Sequence, residues 1–386
     1  MAPRPGRHVR PLLIGEPEAA ERDGSPLLHT FIIGMGRSGR GLHLPSLAKV
    51  RAEAPELLAP APVAAFDPFR TPSGDPGVAP VDSPEDAARR YAPARTVVHL
   101  CTPPAVRATM LDRLAALGYR KILVEKPLAV DLAGLAAVAR VRRRWGLDVT
   151  VATHWLDSAL TRRLQDAVSG GEYGPLRRIR VVQNKPRFTR STSHGTGGDD
   201  HPTVFDVEVP HALAVVLSLA GGARISGASW SDLVVGRTRL PRLGRARLRL
   251  DHHGGVRTEI DSDLTSPVRE RRVTLEFDRA VLVGHYPCSE ADHTSQLRIS
   301  GPGRAPSRAV IVDDALPAFL RNVYDRYARP APEPHRTLPV QIDVVRLLSE
   351  AKDRCAAAER GPACRPRRAR AGTARREGAR DADAVR

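Results

Sequence analysis

Apolar and polar positions follow two different rhythms along this chain. From Leu27 to about residue 153, short apolar runs of strand length alternate with stretches of helical period. LLHTFII, APVAAFD, RTVVHLC, RKILVE and LDVTVAT read as buried strands. Between them, SGRGLHLPSLAKVRAEA, SPEDAARRYA, PAVRATMLDRLAALG and DLAGLAAVARVRRRWG read as helices. Ser83 is a candidate N-cap with Pro84 in the first turn, and Asp131 is a candidate N-cap for the last of the four. Gly118 and Gly146 stand where helices should stop. Pro45 should bend or restart the first helix. Strands alternating with helices predict a parallel sheet covered on both faces.

After residue 153 the rhythm changes. SALTRRLQDAVSGG reads as a helix, and PLRRIRVVQNKP alternates as a strand with one exposed face. A polar loop carrying Ser193, His194, Asp199, Asp200 and His201 leads into a helix at EVPHALAVVLSLAGG. Ala223 to Val312 is dominated by strand-like segments such as RVTLEFD and AVLVGHY. Two helices close the chain, DDALPAFLRNVYDRYA and LPVQIDVVRLLSEAKDRCAAA, the second with Val344, Leu347, Leu348 and Ala351 on one face. The expected fold is α/β: a parallel-sheet domain at 27–153, then an α+β domain at 154–358 with a large, mostly antiparallel open sheet, the closing helices included. Residues 1–26 and 359–386 lack any period and are expected to be disordered.

A length of 386 residues and a hydrophobic share of 41% suit two domains with real cores. No apolar run reaches membrane-spanning length; VPHALAVVLSLAGG is too short and carries His211. The N-terminal segment shows no apolar signal-peptide core. Cys101, Cys288, Cys355 and Cys364 form no CxxC pair and no cluster of metal-ligand spacing, so a reduced, cytoplasmic protein without a metal site is expected.

The net charge of +17 invites a nucleic-acid reading. Part of it sits in the arginine-rich tail, where binding would be steeply salt-dependent. Part lies along helix faces, with Arg140, Arg142, Arg143 and Arg144 expected opposite Leu132, Leu135, Val138 and Val141. Aromatics make up only 4% and do not interleave with the arginines. Of 60 Lys and Arg residues only five are lysine, a bias that an arginine-rich codon usage explains. Neither nucleic acid nor a membrane is the expected partner.

Two motifs carry chemistry. FIIGMGRSGRG holds G-x-G-x-x-G at Gly34, Gly36 and Gly39, after a predicted strand and before a predicted helix. The first glycine allows a tight turn, the second lets the backbone approach a pyrophosphate, and the third lets helix and strand pack closely. Amides of the loop, through Arg37 and Ser38, then face the anion at the helix start. Asp67 ends the second strand, where a carboxylate can accept from a ribose diol and repel a 2′-phosphate. NAD is therefore the expected cofactor, with NADP left open because Arg37 and Arg70 lie close in sequence.

The second motif is Lys126, one of the five lysines, at the carboxyl end of a strand in ILVEKPLAV. Ligands of open α/β sheets bind outside that edge. An ammonium there can polarise a substrate oxygen or relay its proton. Pro127 stiffens the backbone behind it and is a candidate cis proline.

Together GMGRSG, HLPSL, VVHLCTPP, ILVEKPLAVD and SGGEYGPLRRIRVV resemble the Gfo/Idh/MocA oxidoreductase family over about residues 28–358. The resemblance implies an N-terminal Rossmann domain and a C-terminal domain whose open sheet mediates homo-oligomers. It implies a catalytic or substrate-binding role for Lys126, and cofactor contacts from Thr102, Pro103 and Glu125. It also implies an acid/base histidine in the second domain, which His211 matches. The family's Asp stands four positions before that histidine; here Asp206 stands five before it, with Pro210 as the apparent insertion, so either Asp206 or Glu208 supports His211. Arg107 stands where the family often has His, and THWLDS, with His154, Trp155 and Asp157, departs from the family's Asn or Tyr with Arg. The expected activity is NAD(P)-dependent hydride transfer at a hydroxyl or ketone carbon of a sugar, cyclitol or related small molecule, in a specialised biosynthetic setting. The alternative is a catalytically silent nicotinamide-binding sensor or partner subunit of the same fold.

Overall fold

The computed structural model describes residues 27–69, 74–188, 203–289, 292–329 and 337–360. Its helices are α1 Leu44–Glu53, α2 Pro84–Arg90, α3 Arg107–Ala116, α4 Leu132–Trp145, α5 Ala159–Ser169, α6 Val209–Ala220, α7 Ala315–Ala328 and α8 Thr337–Glu359. No described helix is long and apolar enough to cross a membrane. The chain forms two compact units. Of the described residues, the first takes those up to Ala129 and those within Ala133–Arg162 and Asp313–Gln341; the second takes those within Val130–Leu132 and Arg163–Val312 and those from Ile342 on.

The first unit is built on strands β1 His29–Ile33, β2 Val63–Phe66, β3 Val78–Pro80, β4 Thr96–Leu100, β5 Lys121–Val124 and β6 Asp148–Val151. They run parallel in the order β3-β2-β1-β4-β5-β6, the order of dinucleotide-binding sheets. Every residue of β4 is buried, which is why its apolar run shows no alternation. The restart expected at Pro45 takes the form of a π turn over Gly39–His43, whose closing bond runs from the Leu44 amide to the Gly39 carbonyl. Ser83 caps α2 as expected, its side chain accepting from the Asp86 amide. On α4 the apolar stripe is thinner than expected: Val138 is buried, but Leu132 is 52% exposed.

The closing helix α7 does not stay with the second unit, where the 154–358 boundary placed it. Its Phe319, Leu320, Val323, Tyr324 and Tyr327 are buried in one core with Leu28, Ile32, Met35, Leu47 and Val50 of the first. Polar anchors hold it there. The Tyr327 hydroxyl donates to the Asp148 carbonyl at 3.0 Å, and Arg326 pairs with the Asp148 carboxylate at 2.6 Å. An amphipathic helix announces that it has an apolar face, not which sheet will cover it.

The second unit holds strands β7 Leu176–Asn184, β8 Ala223–Trp230, β9 Leu233–Val235, β10 Thr238–Leu240, β11 Arg245–His252, β12 Arg257–Asp263, β13 Glu270–Phe277, β14 Val281–His285, β15 Thr294–Gly301 and β16 Arg304–Val312. β9 and β10 pair as a hairpin, and the rest form a sheet in the order β16-β15-β14-β13-β7-β12-β11-β8. All its pairings are antiparallel except β7 with β12. The period of two is plain: Ile179, Val181, Leu248, Leu250, Ile260, Val273 and Leu275 are buried. The intervening positions carry ion pairs such as Arg178 with Glu259, Arg180 with Glu276 and Arg247 with Asp261. Helix α6, buried along most of its length, packs on β7 and β12.

Candidate active site

The glycine turn joins β1 to the π turn, and its three glycines are there for three different reasons. Gly34 has φ of +93°, and a Cβ there would lie 2.9 Å from the Cys101 carbonyl oxygen. A Cβ at Gly39 would fall 2.1 Å from the Gly34 oxygen and 3.1 Å from Ile32 Cγ2, so this glycine lets the helix start sit on the strand. At Gly36 nothing lies within 4 Å of the same position: the backbone opens onto space. Arg37 is exposed, and the Ser38 side chain makes no cap hydrogen bond.

Asp67 does more than the sequence suggested. Its Oδ2 accepts from the Met35 amide at 2.7 Å and its Oδ1 from the Phe69 amide at 2.9 Å. It therefore latches the glycine turn to the end of β2, and each carboxylate oxygen keeps a second lone pair. Arg40, one turn on, pairs with Asp75 at 2.9 Å.

The ends of β4 and β5 bring in the remaining residues. Thr102 lies beside Gly34, and its buried Oγ1 has no hydrogen-bond partner among the described residues. Lys126 follows β5, partly exposed, and the Lys126–Pro127 bond is cis. Glu125, implied by the resemblance as a cofactor contact, instead turns both oxygens to protein groups. Oε1 meets His43 Nε2 at 2.7 Å, and Oε2 accepts from the Lys126 amide at 3.2 Å. Arg107 is fully buried; its Nη2 donates to the Thr102 carbonyl at 3.1 Å and its Nη1 to the Pro127 carbonyl. Gly34, Gly36, Gly39, Asp67, Thr102, Pro103, Glu125 and Lys126 thus cluster at the carboxyl edge of one parallel sheet. Of the THWLDS residues, Trp155 is buried and Asp157 accepts from Asn322 at 3.0 Å.

The second unit holds the other candidates. His211 is 7% exposed in the first turn of α6, and Pro210 precedes it where a missing amide costs no helix bond. Asp206 belongs to a capping box: its Oδ2 accepts from the Thr203 hydroxyl at 2.7 Å and amide at 3.2 Å. Its Oδ1 accepts from Lys352 at 2.9 Å. Glu208 is buried, with Oε2 accepting from Gln183 at 2.9 Å and Oε1 paired with Lys185. Both carboxylates offered for His211 are thus engaged by other groups. Arg70, the 189–202 loop with Ser193, His194, Asp199, Asp200 and His201, and residues 1–26 and 361–386 lie outside the described residues; Glu359, expected to open the disordered tail, is instead the last residue of α8.

Neither a family model nor a curated protein matches this chain. Solved structures do. A candidate NADPH-dependent oxidoreductase from Desulfitobacterium hafniense is similar with a TM-score of 0.68 at 15% identity, covering 87% of this chain and 96% of its own. An NAD-binding oxidoreductase from Klebsiella pneumoniae reaches 0.67 at 14%, covering 86% and 98%. KijD10, a 3-ketoreductase from Actinomadura kijaniata solved with NADP and TDP-benzene, reaches 0.66 at 16%, covering 86% and 97%. The chain therefore has the two-part α/β fold of these oxidoreductases.

Proposed function

We propose that this chain is an NAD(P)-dependent oxidoreductase of the Gfo/Idh/MocA type, acting at a hydroxyl or ketone carbon of a sugar, cyclitol or related small molecule. The observation that carries this reading is the convergence at the carboxyl edge of the 3-2-1-4-5-6 sheet. An open backbone approach at Gly36, an orphaned Thr102 hydroxyl, the Asp67 carboxylate and Lys126 belong to one cluster. These residues fit a dinucleotide: the turn offers amides to the pyrophosphate and Asp67 offers lone pairs to a ribose diol, which favours NAD over NADP. The neighbours that bind NAD or NADP support the cofactor class.

When bound, the nicotinamide supplies the hydride acceptor or donor. Lys126 holds its ammonium against the substrate oxygen and stabilises the charge that grows there. His211 is the proposed group that carries the substrate proton, with Asp206 and Glu208 fixing the start of its helix. Association of copies through the outward face of the eight-stranded sheet is proposed too; that face is ion-paired, so light scattering should show salt-weakened assembly.

The test is a thermal-shift screen with NAD, NADH, NADP and NADPH, then turnover of sugar and cyclitol candidates with the best cofactor. Lys126→Ala should keep cofactor affinity and lose about 10²–10⁴-fold in rate. Unchanged turnover in that variant removes the catalytic assignment. Cofactor binding without turnover over a broad panel favours the silent sensor.

A further inference from the structure

Behind Lys126 lies a row of buried polar groups drawn from five parts of the first unit. Thr30 Oγ1 on β1 is 2.5 Å from the Tyr324 hydroxyl on α7. That hydroxyl is 3.0 Å from His99 Nε2 on β4. His99 Nδ1 is 2.8 Å from His43 Nδ1, in the π turn that follows the glycine loop, and His43 Nε2 is 2.7 Å from Glu125 Oε1. His43, His99 and Tyr324 are fully buried. Buried polar groups left half-satisfied are costly, so a complete row in an otherwise apolar core asks for a reason.

We propose that His43 is a positioning residue: as a buried imidazolium it grips the Glu125 carboxylate and so fixes the turn that carries Lys126 to the segment that carries the glycine loop. Arg107 holds the same turn as well, bridging the Thr102 and Pro127 carbonyls. The two halves of the site, cofactor loop and reactive lysine, are thereby held to one another through protein groups.

Proton bookkeeping makes His43 the donor to Glu125 in either state of the ring; a neutral His43 would accept from His99 Nδ1–H, and its surroundings favour the charged form. Glu125 can only accept, so His43 Nε2 donates to it. With His43 doubly protonated, its Nδ1–H donates to the Nδ1 lone pair of His99. His99 Nε2–H then donates to the Tyr324 oxygen, and the Tyr324 hydroxyl to Thr30. Two touching imidazoles cannot both be charged, and the surroundings choose between them. Burial alone would lower His43, but Cys101 and Glu125 outweigh it and hold the ring up to about 10. His99 falls well below its ordinary value through burial and the His43 charge. Burial would raise the Glu125 carboxyl, yet His43, Lys126 and His154 hold it below the usual value. The groups acting on His43 are Glu125 after β5 and His99 and Cys101 on and after β4; Lys126 and His154 act on Glu125, Arg107 on Glu125 and Cys101, and Tyr324 lies beyond His99.

The proposal rests on the dinucleotide reading for its kinetic arm only. The first arm is imidazole ¹⁵N NMR of the full-length chain at pH 8, the His43 signal assigned by its loss in His43→Gln. Both His43 nitrogens should carry protons, and in Glu125→Gln the ring should lose its proton at lower pH. A neutral His43 in the wild type, or a titration unmoved by Glu125→Gln, overturns the clamp. The second arm is kinetic. His43→Leu and Glu125→Gln should lower kcat by about 10²-fold, the scale of a misplaced catalytic group, with dinucleotide Kd moving less than about threefold. His43→Gln, which can still donate to Glu125, should recover much of the loss. A folded His43→Leu with full kcat overturns the proposal; should that variant not fold, Glu125→Gln and His43→Gln decide. If the wild type binds no dinucleotide, the functional reading fails and the NMR arm alone judges the clamp.

Discussion

Alanine at Gly36 and alanine at Gly39 should fail in opposite ways. At Gly39 the new Cβ would sit 2.1 Å from a backbone oxygen that cannot rotate aside and 3.1 Å from Ile32 Cγ2. The helix start must move off β1, and overpacking of that kind costs about 1–3 kcal/mol or more. For a unit of this size, each kcal/mol shifts Tm by roughly 2–4 °C, so Gly39→Ala should melt about 2–12 °C low. Gly36 meets nothing within 4 Å and is not in the left-handed region. Alanine there should leave Tm unchanged or raise it slightly, since it restricts the unfolded chain by about 0.4–1 kcal/mol. The new methyl would nonetheless occupy the space assigned to the pyrophosphate, and a tenfold weaker Kd, about 1.4 kcal/mol, is the least expected effect. Thermal melts without ligand, beside NADH titrations followed by fluorescence, read both quantities. A Gly36→Ala protein that binds dinucleotide as tightly as wild type would refute the placement of the cofactor; one that melts far below wild type would refute the open space.

Asp67→Asn keeps one acceptor oxygen but cannot serve both the Met35 and Phe69 amides as a carboxylate does. It should lower Tm by a few degrees and narrow the preference for NAD over NADP, measured as the ratio of the two Kd values. Stability should also fall on the alkaline side. The His43 proton is held in the folded chain up to about 10, above the value of a free imidazole. Its contribution is therefore complete below about 6.5 and lost as pH rises through about 10. The Tm advantage of wild type over His43→Gln should shrink across that window; an advantage that stays level or grows would show that His43 is not the group that titrates.

What could be read from the chain was what is local in it. Gly34, Gly36, Gly39 and Asp67 sit in a strand–turn–helix whose spacing states its purpose, and Lys126 follows an apolar run that can only be a buried strand. The outward face of β7 was equally legible from its alternation. His43, His99 and Tyr324 were not, because each looks ordinary alone and they meet only when the π turn, β4 and α7 come together. Arg107 showed in the sequence only as a departure from the family pattern; that it bridges two carbonyls depends on the segments that follow β4 and β5 coming together. The odd spacing of Asp206 and His211 was visible, but its meaning was not. Asp206 closes a capping box with Thr203, and Pro210 occupies a position in α6 where proline fits. β3, three residues long and ending in Pro80, was too short to stand out from a loop.

The most direct measurement is calorimetric titration of the wild-type chain with each of the four nicotinamide dinucleotides. A saturable, one-site isotherm in the micromolar range for at least one of them, lost in Gly36→Ala, is the expected result. No heat from any of the four, with the protein folded by its melting curve, would contradict the assignment of the glycine turn and everything built upon it.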